Sequence, residues 1–359
     1  MAPRTSERGT SRAIRLAVAI AVGLAVTLGA AGPASAHGGQ DDTSNFRSEI
    51  TSDTTDGLTW RVLGGDGTLE LHSRGAARVV VFGYEGEPYL RFDPDGTVWR
   101  NAASPSAYLN VSNDASAPVP PEASTEADPR WEQVAEDGTF AWHDHRTHWM
   151  SARPPIGDQA EVVQEWSVPF AVGDAERVQL TGELWWAPSS DPWAWLLVAM
   201  AAMTVPLVAA VRRGGSPTAA ARVLGIEAVV VAMLNIVRAL DDVINVDATT
   251  AEHTGVLLAT GFWVVLSMLA AQRLLRRPAQ ASLVTVAIAG ISLSWGLGIT
   301  TLSALSAPFV QTGLPVSVVR AIVAVTVALA VPTVITGVLV ERRDRATLVE
   351  RRRPVSSAA

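Results

Sequence analysis

Three of the six histidines fall within nine residues, Trp142-His143-Asp144-His145-Arg146-Thr147-His148-Trp149-Met150. Alternate residues of a β-strand share a face, so a strand here points His143 and His145 one way and Asp144 and Arg146 the other. Imidazoles spaced in this way can meet at one ion, and imidazole suits copper, zinc or nickel. His148 is out of phase and joins them only through a turn. Asp144 enters the candidate metal set as a ligand or as the outer partner that fixes a histidine tautomer. Met150 offers a thioether suited to Cu(I). The competing reading is structural: an ordinary Asp144–Arg146 ion pair, and half-exposed histidines beside Trp142 and Trp149 that hold the domain to a membrane surface. His72 and His253 read as plain surface residues.

A further candidate ligand is His37. Arg4, Arg8, Arg12 and Arg15 precede an apolar stretch, Leu16 to Ala31, and Ala34-Ser35-Ala36 supplies a small-residue cleavage site. This is the layout of a secretory signal peptide over residues 1–36. Cleavage makes His37 the mature N-terminus, with an α-amine beside its imidazole that can chelate a metal. The chain has no cysteine, which excludes thiolate-ligated zinc, cysteine-held clusters and thiol chemistry.

Residues 37–190 must position these groups. They hold 25 acids and 10 arginines, a net charge of −15, which disfavours nucleic acid as a partner and is compatible with cations. Short runs rich in branched and aromatic residues, separated by turn signals, predict strands over 46–51, 58–63, 68–72, 78–84, 89–92, 97–100, 139–145, 162–168 and 177–186. Gly64-Gly65-Asp66-Gly67 suits a tight hairpin turn. Residues 115–128, rich in Pro, Ser, Ala and Glu, read as a flexible loop. The expected architecture is an all-β sandwich, immunoglobulin-like in outline, without the Cys…Trp…Cys signature.

Residues 191–340 are apolar and predict a five-helix transmembrane domain, with spans near 193–211, 223–240, 254–272, 282–304 and 319–340, each close to the ~20 residues a crossing requires. Arg212, Arg213, Arg222, Arg273, Arg276 and Arg277 flank one set of ends, and the tail, 341–359, is arginine-rich. The positive-inside rule then places the β-domain outside the cell and the C-terminus in the cytoplasm. The second span carries a polar stripe of Glu227, Asn235, Arg238, Asp241, Asp242 and Asn245. It reads either as an ion or proton pathway or, preferably, as internal pairing near the outer surface, with Arg320 able to reach the same acids. The fourth span is rich in Ser, Thr and Gly and reads as a packing helix.

A mature N-terminal histidine, an exported β-sandwich and a following helical bundle together resemble the copper-binding CopC-like proteins, some of which are fused to a CopD-like membrane domain. The resemblance implies copper held by the N-terminal histidine with further histidine and acidic ligands. His37 matches by position; His143, His145 and Asp144 match by residue type. The layout as a whole also resembles actinobacterial membrane proteins with an exported β-domain.

Three functions are weighed. The first is extracytoplasmic metal handling, with copper the favoured ion. The second is a structural or sensory envelope protein whose β-domain binds a protein or cell-wall partner through Trp142 and Trp149. The third is transport through Glu227, Asn235 and Arg238. An enzyme is not expected, because no G-x-S-x-G, H-E-x-x-H or phosphate-binding glycine loop is present. Membrane lipid is a partner on every reading.

Overall fold

The computed structural model describes residues 43–352, apart from 53, 54, 76, 112–117, 152, 154, 215, 247 and 249. Residues 1–36, the expected signal peptide, and His37 lie outside the described residues. An antiparallel β-region comes first and a group of helices follows.

Twelve strands are described: β1 Thr43–Ser44, β2 Phe46–Ile50, β3 Leu58–Leu63, β4 Thr68–Ser73, β5 Val79–Phe82, β6 Pro88–Phe92, β7 Val98–Asn101, β8 Trp131–Ala135, β9 Thr139–His143, β10 Glu161–Val172, β11 Val178–Trp186 and β12 Phe309–Val310. Seven form one sheet in the order β2-β11-β10-β5-β6-β7-β8, and three form another, β3-β4-β9. One apolar cluster takes Leu69, Leu71 and Trp142 from the small sheet and Val81, Leu90, Phe92, Phe170 and Leu184 from the large one. Residues alternating along each strand supply this core, as a pleated strand requires. The seven-plus-three division is not the four-plus-three division of an immunoglobulin constant domain.

The sequence did not mark β8, because Trp131-Glu132-Gln133-Val134-Ala135 has little of the branched, alternating character of a strand. It forms at the edge of the large sheet by pairing with β7. The described part of the expected loop, 118–128, has neither strand nor helix, yet it packs back on the domain. Ala123 is buried, and the Ser124 N–H donates to the Ala103 carbonyl at 3.0 Å.

One helical turn, Ser106–Leu109, lies between β7 and β8; the helices after the β-region are α1 Trp193–Gly214, α2 Pro217–Asn245, α3 Thr250–Arg276, α4 Leu283–Leu293, α5 Val316–Ala328 and α6 Ala330–Arg352. Among the described residues, four stretches are long and apolar enough to cross a membrane: Trp193–Arg213, Pro217–Asn245, Thr250–Arg276 and Val316–Glu350. Leu207, Leu224, Leu274 and Leu293 are buried, while Leu197, Leu258, Val265, Leu269 and Val334 face outward. Helices apolar on both faces belong in lipid rather than water. These features mark a membrane protein.

Where one long fourth span was expected, the apolar helix is shorter. Helix α4 runs into a π-helical turn, Ser294–Gly298, and then a 3-10 turn, Leu302–Leu305. Close packing explains the glycines. A Cβ on Gly290 would come within 1.7 Å of Thr333 Oγ1, and one on Gly296 within 2.4 Å of Trp263. A π-turn is a local widening of the helix that recurs at functional sites and kinks.

The two regions touch. Strand β1 pairs antiparallel with β12, which lies between α4 and α5. The Ser190 N–H also donates to the Ser306 carbonyl at 2.8 Å.

Candidate functional site

The β3–β4 hairpin builds one wall of the histidine cluster. Leu63 pairs with Thr68 across Gly64-Gly65-Asp66-Gly67, and Gly64 and Gly65 have φ of 66° and 88°. Those values favour glycine. The turn directs Asp66 and Gly67 toward the end of β9, which pairs with β4 and places His143 opposite Thr68.

Strand β9 ends at His143, so the expected strand to 145 is shortened. Asp144 to Thr147 form a turn closed by a Thr147 N–H donating to the Asp144 carbonyl at 3.1 Å. The Thr147 hydroxyl donates to the Asp66 carbonyl at 2.9 Å, which ties the turn to the hairpin. This turn is what brings the out-of-phase His148 back. The His143 and His145 ring centres are 5.0 Å apart, those of His143 and His148 are 5.5 Å apart, and both pairs sit edge to face.

His143 sits against Gly67 of the hairpin turn, while its Nε2 is buried without a hydrogen-bond partner. His148 Nδ1 lies 2.9 Å from Asp66 Oδ2. Burial, then the neighbouring His145 and His148, push the His143 imidazole down to about 4, so it is neutral near pH 7. The His145 N–H donates to the Tyr84 phenol at 3.0 Å.

Asp144 is placed differently. It is fully buried, and both its oxygens are engaged. Arg146 Nε donates to Oδ1 at 2.8 Å, Arg146 Nη2 to Oδ2 at 2.7 Å, and Trp142 Nε1 to Oδ2 at 2.9 Å. Burial opposes its ionisation, but the guanidinium and the indole N–H outweigh burial and hold the carboxyl below the usual range. Asp144 is therefore the anchor of the turn, as the ion-pair reading had it. The carboxylate that His148 meets is Asp66.

Trp142 is buried against Trp60, Tyr89 and Phe140, so it belongs to the core rather than to an exposed interface. Trp149 stacks on Phe46 with ring centres 5.8 Å apart. Met150 follows on a half-buried coil. His72 Nδ1 contacts Thr139 Oγ1 at 2.6 Å on the far end of β4, and His253 Nε2 lies 3.1 Å from the Val246 carbonyl. Among the described residues, no group of three or more His, Cys, Asp or Glu side chains stands in an arrangement that could hold a metal ion.

In the helices, most of the polar stripe is paired. Asp241 accepts from Asn245 Nδ2 at 2.7 Å, from the Thr312 hydroxyl at 2.6 Å and from the Gly313 N–H at 3.2 Å. Arg238 lies 3.8 Å from Asp242. Asn235 Nδ2 donates to Thr326 Oγ1 at 2.8 Å and to the Val231 carbonyl at 2.9 Å. Arg320 donates to the Ala304 and Ala307 carbonyls, an anchoring role in place of the expected reach to the acids. Glu227 is buried, and neither of its oxygens has a hydrogen-bond partner.

No protein-family profile, curated protein or solved structure matches this chain. The functional reading therefore rests on its own residues.

Proposed function

We propose that this is an integral membrane protein whose exported β-domain binds a divalent metal ion, copper first and zinc second, through His143, His145 and His148. The observation that carries the reading is the unpartnered, buried Nε2 of His143, set among two other imidazoles. Ring-centre separations of roughly 5 Å are what a nitrogen–metal distance of about 2.1 Å implies for histidines sharing one tetrahedral ion. The Asp66 carboxylate at Nδ1 of His148 is the kind of outer contact that orients a metal-bound histidine.

The rings pack edge to face as they stand, and convergence of their nitrogens takes rotation about χ2, a broad torsion for histidine. An all-imidazole set suits Cu(II) and Zn(II), and copper binds more tightly at a given nitrogen site. Asp144 is outside this donor set because its oxygens are spent on Arg146 and Trp142. His37 remains a candidate additional ligand.

On this reading residues 1–36 are a cleaved signal, the β-domain lies outside the cell and the tail lies in the cytoplasm, as the arginine distribution supports. The β1–β12 pairing would let the metal-binding domain communicate with the helices. The test is calorimetric titration of the full-length protein in detergent with copper and with zinc. One equivalent bound by wild type and none by His143→Ala with His148→Ala supports the reading; equal binding by both proteins removes it.

A further inference from the structure

Glu227 lies on α2 about 15 Å from its start at Pro217 and about 27 Å from its end, at 1.5 Å per residue. That is membrane depth. The side chain is only 9% exposed. The other polar side chains in the bundle interior spend their groups locally. The Ser267, Ser294, Thr326 and Thr333 hydroxyls donate to helix carbonyls, and Asn235 donates to Thr326. Among the described residues of the helices, the buried side-chain atoms without a partner are both oxygens of Glu227 and the hydroxyl of Thr336. Thr336 is on α6, which packs against α2.

Charged groups on the packed helices lie elsewhere. Arg212 and Arg213 end α1, Arg273 and Arg276 end α3, Glu252 and His253 begin it, and the charges of α6 begin at Glu341. Helix α4 has none, and Arg320 of α5 is held by carbonyls. On α2 itself, Arg222 is near the start, and Arg238, Asp241 and Asp242 are near the end. An ionised carboxylate with no partner in this setting is costly, so the group requires compensation.

We infer that Glu227 is a reversible proton-binding site enclosed within the helix bundle. A hard metal cation asks for six or more oxygen ligands, and among the described helix residues only one buried carboxylate and one buried hydroxyl remain unspent. A proton asks for none, and it turns Glu227 into a donor that can serve a neighbouring oxygen. This site is independent of the histidine cluster.

The test is labelling of the full-length protein in detergent with dicyclohexylcarbodiimide, which adds to protonated carboxyls in apolar surroundings, followed by peptide mass mapping. Glu227 should carry the adduct, labelling should fall several-fold as the pH is raised, and sodium chloride should not protect it. Glu227→Gln, a neutral isostere, should lose the adduct and keep the wild-type melting temperature. Failure of wild-type Glu227 to label, or protection by sodium, overturns the proposal. Marked destabilisation by Glu227→Gln also overturns it, since that would mean a paired charge.

Discussion

Asp66 and His148 stand 82 positions apart in the chain and meet with His148 Nδ1 2.9 Å from Asp66 Oδ2. The contact joins the glycine hairpin to the turn after β9, and it leaves the Nε2 of His148 as the nitrogen available to a ligand. Asp66→Ala should therefore weaken copper or zinc binding by roughly 10–100-fold, the usual effect of losing an outer partner of a metal histidine. Titration of wild type and variant side by side checks this, with thermal melting to show that the fold is retained.

The buried pair Asp144–Arg146 gives a prediction about stability. Arg146→Ala leaves a fully buried carboxylate without its main partner, and breaking a pair of this kind costs about 3–5 kcal/mol. Denaturant unfolding followed by tryptophan fluorescence should show a loss of unfolding free energy of that size, read as a lower midpoint at unchanged slope. Because the Asp144 carboxyl is held low in the fold, its contribution is present at neutral pH and lost as the pH falls through its folded value.

The histidine-bearing strand was legible as far as His143, but His145 lies in the turn after it, so its position was not set by strand alternation; the glycine turn was legible because its residue types demand it. The membrane helices were legible from apolar length. Asp66 was not, since nothing local announces that a hairpin carboxylate will meet His148. The assignment of Asp144 also required tertiary contacts: Arg146 and Trp142 claim its oxygens, and local spacing alone left ligand and ion pair open. Arg320 was misplaced for the same reason, because the carbonyls that hold it come from irregular turns that apolar periodicity does not reveal.

Acidification should act through His143. Its folded value of about 4 lies below the unfolded value, so the unfolded chain binds more protons between them. Stability of the metal-free protein should fall as the pH drops from about 6.5 toward about 4 and stay level above that window. His143→Asn should flatten this part of the profile. Thermal melts across the pH series measure it.

Close helix packing predicts the behaviour of Gly290. An added methyl would overlap Thr333, and overpacking of this kind costs about 1–3 kcal/mol. Gly290→Ala should lower the melting temperature of the detergent-solubilised protein, and Gly255→Ala, where the space is open, should not.

Three imidazoles sharing one metal ion is the core of the proposed function. Electron paramagnetic resonance of the full-length protein loaded with one equivalent of Cu(II) tests it most directly. A shared site gives a single copper species with nitrogen couplings from several imidazoles, reduced in number by His143→Ala and again by adding His148→Ala. A spectrum of free or heterogeneous copper, or one that both substitutions leave unchanged, would contradict it.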